Sequence, residues 1–144
     1  MLIQDWMKHE VRSIKPLDSI EHARDIMESN RINQLPVVAA GKLVGIVTDR
    51  NLRDAYPSVF DAPPFGKPKA PSGANPKEIT VEMVMTPDVL TLSPTTSIVE
   101  AVRVMRRERI GAIPIVDGTR LVGILTRSDV LEAFVTLTER LPTA

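Results

Sequence analysis

No cysteine occurs in the 144 residues, which excludes disulfides and thiolate chemistry and fits a cytoplasmic setting. Aromatic residues make up 3% of the chain, too few for the stacking platforms that hold single-stranded nucleic acid. Neither sign of charge predominates: 18 acidic side chains balance 18 basic ones. Nucleic-acid binders carry a basic footprint that releases counterions from phosphates. Here the basic residues cluster only at Arg103, Arg106, Arg107 and Arg109, on one predicted helix, where a solvated face or a subunit contact is the simpler account. No apolar run approaches the roughly 18 residues of a membrane span. The opening Met1-Leu2-Ile3-Gln4-Asp5-Trp6 lacks the basic start and apolar stretch of a signal peptide. The two histidines, His9 and His22, show no paired metal-ligand spacing. There is no nucleophile elbow and no clustered set of oxygen ligands suited to Mg²⁺. Neither an enzyme nor a partner of nucleic acid or membrane is expected.

What is present is present twice. Residues 11–55 and 89–133 align without a gap at an offset of 78, with 16 of the 45 positions identical. Leu43-Val44-Gly45-Ile46-Val47-Thr48 matches Leu121-Val122-Gly123-Ile124-Leu125-Thr126, and Pro36, Ser19, Ala23 and Met27 match Pro114, Ser97, Ala101 and Met105. Such self-similarity sets the architecture before any local motif does. Each half alone, at roughly 45–55 residues, is marginal for independent folding, so the halves are expected to share a core.

Each copy reads as strand, helix, strand, strand, helix. In the second, Val89–Leu92 is a short extended run closed by Pro94, and Ser97 with Glu100 has the capping-box pattern. Ile98, Ala101, Val102 and Met105 then recur on one helical face. The helix is predicted to end near Arg109-Ile110-Gly111, before a strand over 112–116, an Asp117-Gly118-Thr119 turn and a strand over 120–125; Asp-Gly between apolar runs is a hairpin signal. The first copy repeats this with Asp18 and Glu21 as its capping pair and Ala40-Gly41-Lys42 as its turn. Its closing helix, about 50–55, is short. The matching last helix is longer, and Val130, Leu131, Phe134, Val135 and Leu137 give it more apolar surface than its own sheet needs. Three segments follow: 1–55, the first motif with its lead-in; 56–77, a linker rich in proline; and 78–144, the second motif with the extended helix. Six prolines between 57 and 76 forbid regular structure there, and a helix is predicted to resume over 78–85.

The second copy runs V-L-T-L-S-P-T-T-S-I-V-E-A-V-R-V-M, then I-G-A-I-P-I-V-D-G-T-R-L-V-G-I-L-T-R-S-D-V-L. With its repeat, it closely resembles the CBS domain, over nearly the whole chain outside the linker. The pair is similar to small stand-alone bacterial CBS proteins, including those of the acetoin-utilisation type. The resemblance implies an α/β (α+β) fold: two pseudo-twofold-related β-α-β-β-α motifs with their sheets packed together in one disc-like module, a Bateman module. It also implies regulatory binding of adenosine derivatives (AMP, ADP, ATP or S-adenosylmethionine) at clefts between the motifs.

The residues fit that chemistry to differing degrees. Gly123 to Asp129 crosses from strand into the last helix, where unpaired amides and the helix dipole favour an anion. Thr126 and Ser128 add hydroxyls, Arg127 a charged fork, and Asp129 an acceptor for ribose hydroxyls. Thr, Ser and Asp are equally the usual helix caps, and one residue can do both; the resemblance favours binding for Thr126 and Asp129. The first copy keeps Thr48 but has Asn51 in place of the aspartate, a neutral acceptor expected to bind more weakly, while Asp49 would repel a phosphate and Arg50 offsets it. The base slot implied by the family precedes each proline strand: Asn33, Gln34 and Pro36 in one copy, Gly111, Ala112 and Pro114 in the other. Gly111 and Ala112 are small enough for a flat base to reach backbone. Asn33 and Gln34 either bond the base edge or fill the slot. In related modules one copy's slot faces the other copy's turn, which would pair Asp129 with Asn33-Gln34 and Asn51 with Gly111-Ala112, with Thr96 lining the latter.

The resulting expectation is a homodimeric, cytoplasmic module that needs no resident cofactor, senses an adenine nucleotide or S-adenosylmethionine, and signals to a protein target by a conformational shift. The alternative is a ligand-free dimeric interaction scaffold with degenerate clefts.

Overall fold

The structure, a computed structural model, describes residues 1–55 and 75–142. Most of the predicted linker, 56–77, therefore lies outside the described residues. The chain divides into two compact units, Arg12–Val89 and Met1–Val11 with Leu90–Ala144. This division differs from chain order in two respects. The lead-in at residues 1–11, grouped by sequence with the first motif, belongs in space with the second, and residues 78–89, grouped with the second, belong with the first.

In the first-repeat unit, helix α1 (Ile20–Asn30) is followed by strands β1 (Gln34–Ala39) and β2 (Lys42–Thr48), then α2 (Asp49–Ala55), α3 (Val81–Val84) and β3 (Thr86–Pro87). The second-repeat unit holds α4 (Ile98–Glu108), β4 (Ala112–Asp117), β5 (Arg120–Thr126) and α5 (Arg127–Arg140), preceded in the chain by a 3₁₀ turn at Ile3–Asp5. Both units are built on an antiparallel hairpin, β1 with β2 and β4 with β5, in equivalent registers: Pro36 opposes Ile46 and Pro114 opposes Ile124. The hairpin turns form where two residues can reverse a right-twisted pair. Ala40 and Gly41 both take positive φ (50° and 79°), whereas in the second turn only Gly118 does (66°).

Helices α1 and α4 owe their limits to matched signals. Ser19 and Ser97 cap them, each side-chain oxygen accepting from the amide three residues on, at 3.1 Å. Ser19 thus takes the capping place expected of Asp18, whose carboxylate accepts from Lys15 N instead. Both helices end on a left-handed arginine, Arg31 (φ 53°) and Arg109 (φ 56°). There the following amide, Ile32 or Ile110, reaches back to Met27 O or Met105 O, the Schellman closure.

The predicted opening strand of each repeat shrinks to a single parallel bridge, Ile14 with Val37 and Leu92 with Ile115. Pro16 and Pro94 follow within two residues and stop the ladder. The helix expected over 78–85 is one turn, α3.

Each unit has its own apolar core. In one, Ile20, Ala23, Met27, Leu35, Val37 and Val47 pack with Ile79 and Val81. In the other, Ile98, Ala101, Met105, Ile113, Ile115 and Leu125 pack with Ile3 and Met7. Full burial of such side chains contributes about 1.5–3 kcal/mol each, so the lead-in segments are part of what holds each unit together. Backbone bonds fix them in register: Ile98 N to Met1 O and Ile3 N to Thr96 O in one unit, Ile20 N to Ile79 O and Val81 N to Asp18 O in the other. These bonds correspond pair by pair at the offset of 78.

Candidate functional site

The end of β5 and the start of α5 form the turn that the sequence singles out. Thr126 is extended (φ −115°, ψ 168°) and serves as the cap of α5. Three residues on, Asp129 folds back so that Oδ2 accepts from Thr126 N at 2.8 Å and Thr126 Oγ1 at 3.0 Å. The aspartate does cap, as its residue type suggests. Its other oxygen, Oδ1, faces Lys8, whose Nζ lies 2.7 Å away; the Asp129 side chain is 11% exposed and that of Lys8 54%. The ammonium also reaches Thr126 Oγ1 at 3.4 Å. Arg127 and Ser128 are exposed, on the first turn of the helix.

Not every amide of that turn is open. Arg127 N donates to Gly111 O at 3.0 Å, tying the loop before β4 to the start of α5. A Cβ on Gly111 would stand 3.2 Å from the Arg127 guanidinium carbon, so Arg127 covers the small-residue loop. Arg127 also joins Arg106 and Arg109 in lining an open groove of about 410 Å³, with Val102, Met105, Ile110, Val130 and Leu131 as its apolar lining. Arg127 therefore lines the groove between α4 and α5. Ala112 is half-buried, Pro114 fully buried in β4. Thr96 occupies the turn before α4, with Oγ1 3.1 Å from Ser93 Oγ and its carbonyl taken by Ile3 N.

The first-repeat unit reproduces the turn in neutral form. Asn51 Oδ1 accepts from Thr48 N at 2.9 Å and Thr48 Oγ1 at 3.0 Å, and Asn51 N donates back to Thr48 Oγ1 at 3.1 Å. Asp49 N donates to Asn33 O at 2.8 Å, as Arg127 N does to Gly111 O. The Asp49 carboxylate pairs with Arg53 at 3.4 Å. Arg50 and Asn33 are exposed, Gln34 half-buried, and Pro36 buried in β1. Within each unit, then, the loop before the proline strand and the start of the closing helix are joined through one backbone bond.

Lys8 is the residue that inspection of the repeats overlooked. Its signal lay in extending the gapless alignment backwards, which matches Met7 to Met85 and sets Lys8 against Thr86. Its backbone is held on β5 in both directions, Lys8 N to Ile124 O at 2.9 Å and Ile124 N to Lys8 O at 3.0 Å. Among the described residues no group of three or more His, Cys, Asp or Glu side chains could hold a metal ion, and no helix is long and apolar enough to cross a membrane.

The repeated hairpin, the proline strand and the capped turn coincide with a known family profile, the CBS domain, matched at residues 3–58 and again at 81–136. The chain belongs to the CBS domain family. A CBS domain-containing protein of Dictyostelium discoideum is 31% identical over 144 residues, covering 99% of this chain and 97% of its own length. The same module also occurs inside longer proteins: the chain spans 23% of an inosine-5′-monophosphate dehydrogenase of Korarchaeum cryptofilum, at 33% identity over 88% of this chain. Among solved structures, the CBS pair is similar to a Vibrio cholerae protein assigned to acetoin utilization, AcuB (TM-score 0.78, 28% identity, 96% of this chain and 93% of that one). It is similar to CBSX2, solved in complex with AMP (TM-score 0.75, 26% identity, 95% and 98%). It is also similar to the CBS domain pair of protein MJ0100, solved with 5′-methylthioadenosine and S-adenosyl-L-methionine (TM-score 0.76, 26% identity, 95% and 98%).

Proposed function

We propose that this CBS pair is a regulatory, non-catalytic module that binds an adenosine derivative at the Thr126–Asp129 turn and passes its occupancy to a partner protein. The observation that carries this reading is the Asp129 carboxylate, 11% exposed at the start of α5, in a chain whose structural relatives CBSX2 and MJ0100 were solved with adenosine compounds. In this reading Asp129 accepts from the ribose hydroxyls. Thr126, Ser128 and the dipole of the 14-residue helix α5 receive a phosphate or other anionic group. The candidate base slots are Asn33, Gln34 and Pro36 in one copy and Gly111, Ala112 and Pro114 in the other, with Thr96, just ahead of α4, as a further lining residue of the latter. Thr48, Asp49, Arg50 and Asn51 form the weaker of the two turns, since the Asn51 amide offers no charge-assisted bond.

Signalling follows from differential affinity: a ligand that binds one arrangement of the protein better shifts the population toward it. The working unit is a homodimer joined through α5, whose Leu131 and Phe134 are each 64% exposed. Titration of the full chain with AMP, ADP, ATP and S-adenosylmethionine by calorimetry tests the ligand reading. Saturable binding of at least one supports it, and no heat from any of them at millimolar concentration overturns it.

The exposed apolar face of α5 and the Asn51 side-chain oxygen, already held by Thr48 N and Oγ1, favour one other reading, a ligand-free dimeric interaction scaffold. Partner capture unchanged by any of these ligands, together with the absence of binding, selects it.

A further inference from the structure

We infer that Lys8 is the specificity-determining residue of the Asp129 turn, selecting adenosine derivatives of net negative charge over neutral ones and over the sulfonium S-adenosylmethionine, whose net charge is positive. The inference rests on the adenosine-derivative reading above and adds to it a residue from outside the repeated motif. Before any ligand arrives, both carboxylate oxygens of Asp129 are engaged: Oδ2 by Thr126 N and Oγ1, Oδ1 by Lys8 Nζ at 2.7 Å. A ribose hydroxyl seeking this carboxylate must share Oδ1 with the ammonium or displace it. An uncharged nucleoside offers the displaced ammonium nothing in return. A phosphate offers a second anion within the sweep of a flexible four-carbon stem, and Lys serves as a mobile point charge for phosphate. A sulfonium meets like charge.

Two features indicate that the arrangement is built rather than incidental. The Lys8 backbone is bonded to Ile124 in both directions, two residues before Thr126. Met7, its neighbour, fills the space above Gly123, where a Cβ would come within 2.5 Å of Met7 Sδ. The ammonium therefore springs from a fixed point beside the turn. The counterpart unit lacks both charges at once, with Asn51 at the position of Asp129 and Thr86 at that of Lys8, so cation and carboxylate form one unit of difference between the repeats.

The test compares the full-length wild type with K8T, which installs the residue found at the matching position, and with K8R, which keeps the charge. Each is titrated with AMP, adenosine and S-adenosylmethionine by calorimetry, and the readout is the ratio of affinities, which loss of folded protein does not alter. The wild type is expected to prefer AMP; K8T should shrink the AMP-to-adenosine ratio about tenfold, the equivalent of one charge-assisted bond, and K8R should retain it. A wild type that binds AMP no better than adenosine, or a K8T ratio equal to the wild type's, overturns the role of Lys8 while leaving the ligand reading intact. A wild type that binds none of the three overturns both.

Discussion

Met7 occupies the space that a side chain at position 123 would need: a Cβ built on Gly123 would stand 2.5 Å from Met7 Sδ and 2.9 Å from Lys8 O. The other unit repeats the relationship between Gly45 and Met85, at 2.6 Å from Sδ and 2.9 Å from Thr86 O. Neither glycine takes a positive φ, so their purpose is close approach rather than backbone freedom. Each lets a lead-in segment lie flat on a strand and place an apolar residue, Ile3 or Val81, in the core behind it.

Replacing either glycine by alanine should therefore destabilise its own unit. A methionine tip can swing away, but the carbonyl at 2.9 Å belongs to a bonded backbone and must shift. Overpacking of this kind costs about 1–3 kcal/mol. Urea unfolding of Gly123→Ala and Gly45→Ala should show lowered midpoints, and a change below about 0.5 kcal/mol in both would mean that the lead-ins are loosely seated.

Much of this arrangement can be read from the sequence where local chemistry and periodicity agree. Asp117-Gly118 announces a hairpin, Ser97 a helix start, and the offset of 78 carries each assignment to the other copy. The exchange of lead-ins was not legible. Ile3 meets Ile98 across about two thirds of the chain, and a three-residue 3₁₀ turn or a four-residue helix has too few positions to show a periodic face. Lys8 was missed for the same reason. Its partner, Asp129, lies 121 residues away. The cap expected at Asp18 falls instead to Ser19, an equally good capping residue, because Asp18 is drawn to the amide of Lys15. The capping role of the turn residues is what the structure shows, and because caps and candidate ligand groups share one residue set, the sequence left their two roles undivided.

Thr80 supplies a prediction of opposite sign. Its hydroxyl is buried without a hydrogen-bond partner among the described residues, although it precedes α3 in a capping position. A buried unsatisfied hydroxyl costs about 1–3 kcal/mol, and an apolar group of the same shape removes that penalty. Thr80→Val should raise thermal stability or leave it unchanged. A clear loss in a calorimetric melt would show that the hydroxyl is satisfied in solution.

The two turns predict an asymmetric pair of exchanges. Asp129→Asn keeps an acceptor for Thr126 but removes the partner of Lys8 and a negative charge from the start of α5. The Lys8 side chain is more than half exposed, so solvent screening keeps the expected loss to about 0.5–1 kcal/mol. Asn51→Asp adds charge at a helix start that has Thr86 where the other unit has Lys8 and already holds Asp49, and its effect should stay within about 0.5 kcal/mol. Chemical unfolding of both variants at low and high salt distinguishes them: only the Asp129→Asn difference from wild type should shrink as salt rises.

The outer face of α5 yields the last prediction. Leu131 and Phe134 are each 64% exposed, with Val135 and Leu137 close to half exposed, while Ala133 on the inner face is buried. The helix thus shows apolar side chains on both sides, and the outward set is what a second copy would cover under the proposed dimer. A carboxylate placed there would be desolvated in the dimer but hydrated in the monomer, so it penalises association and spares the fold. Phe134→Glu and Leu131→Glu should shift sedimentation toward the monomer at micromolar concentration while keeping the wild-type circular dichroism spectrum. If both variants sediment as the wild type does, α5 is not the dimer contact.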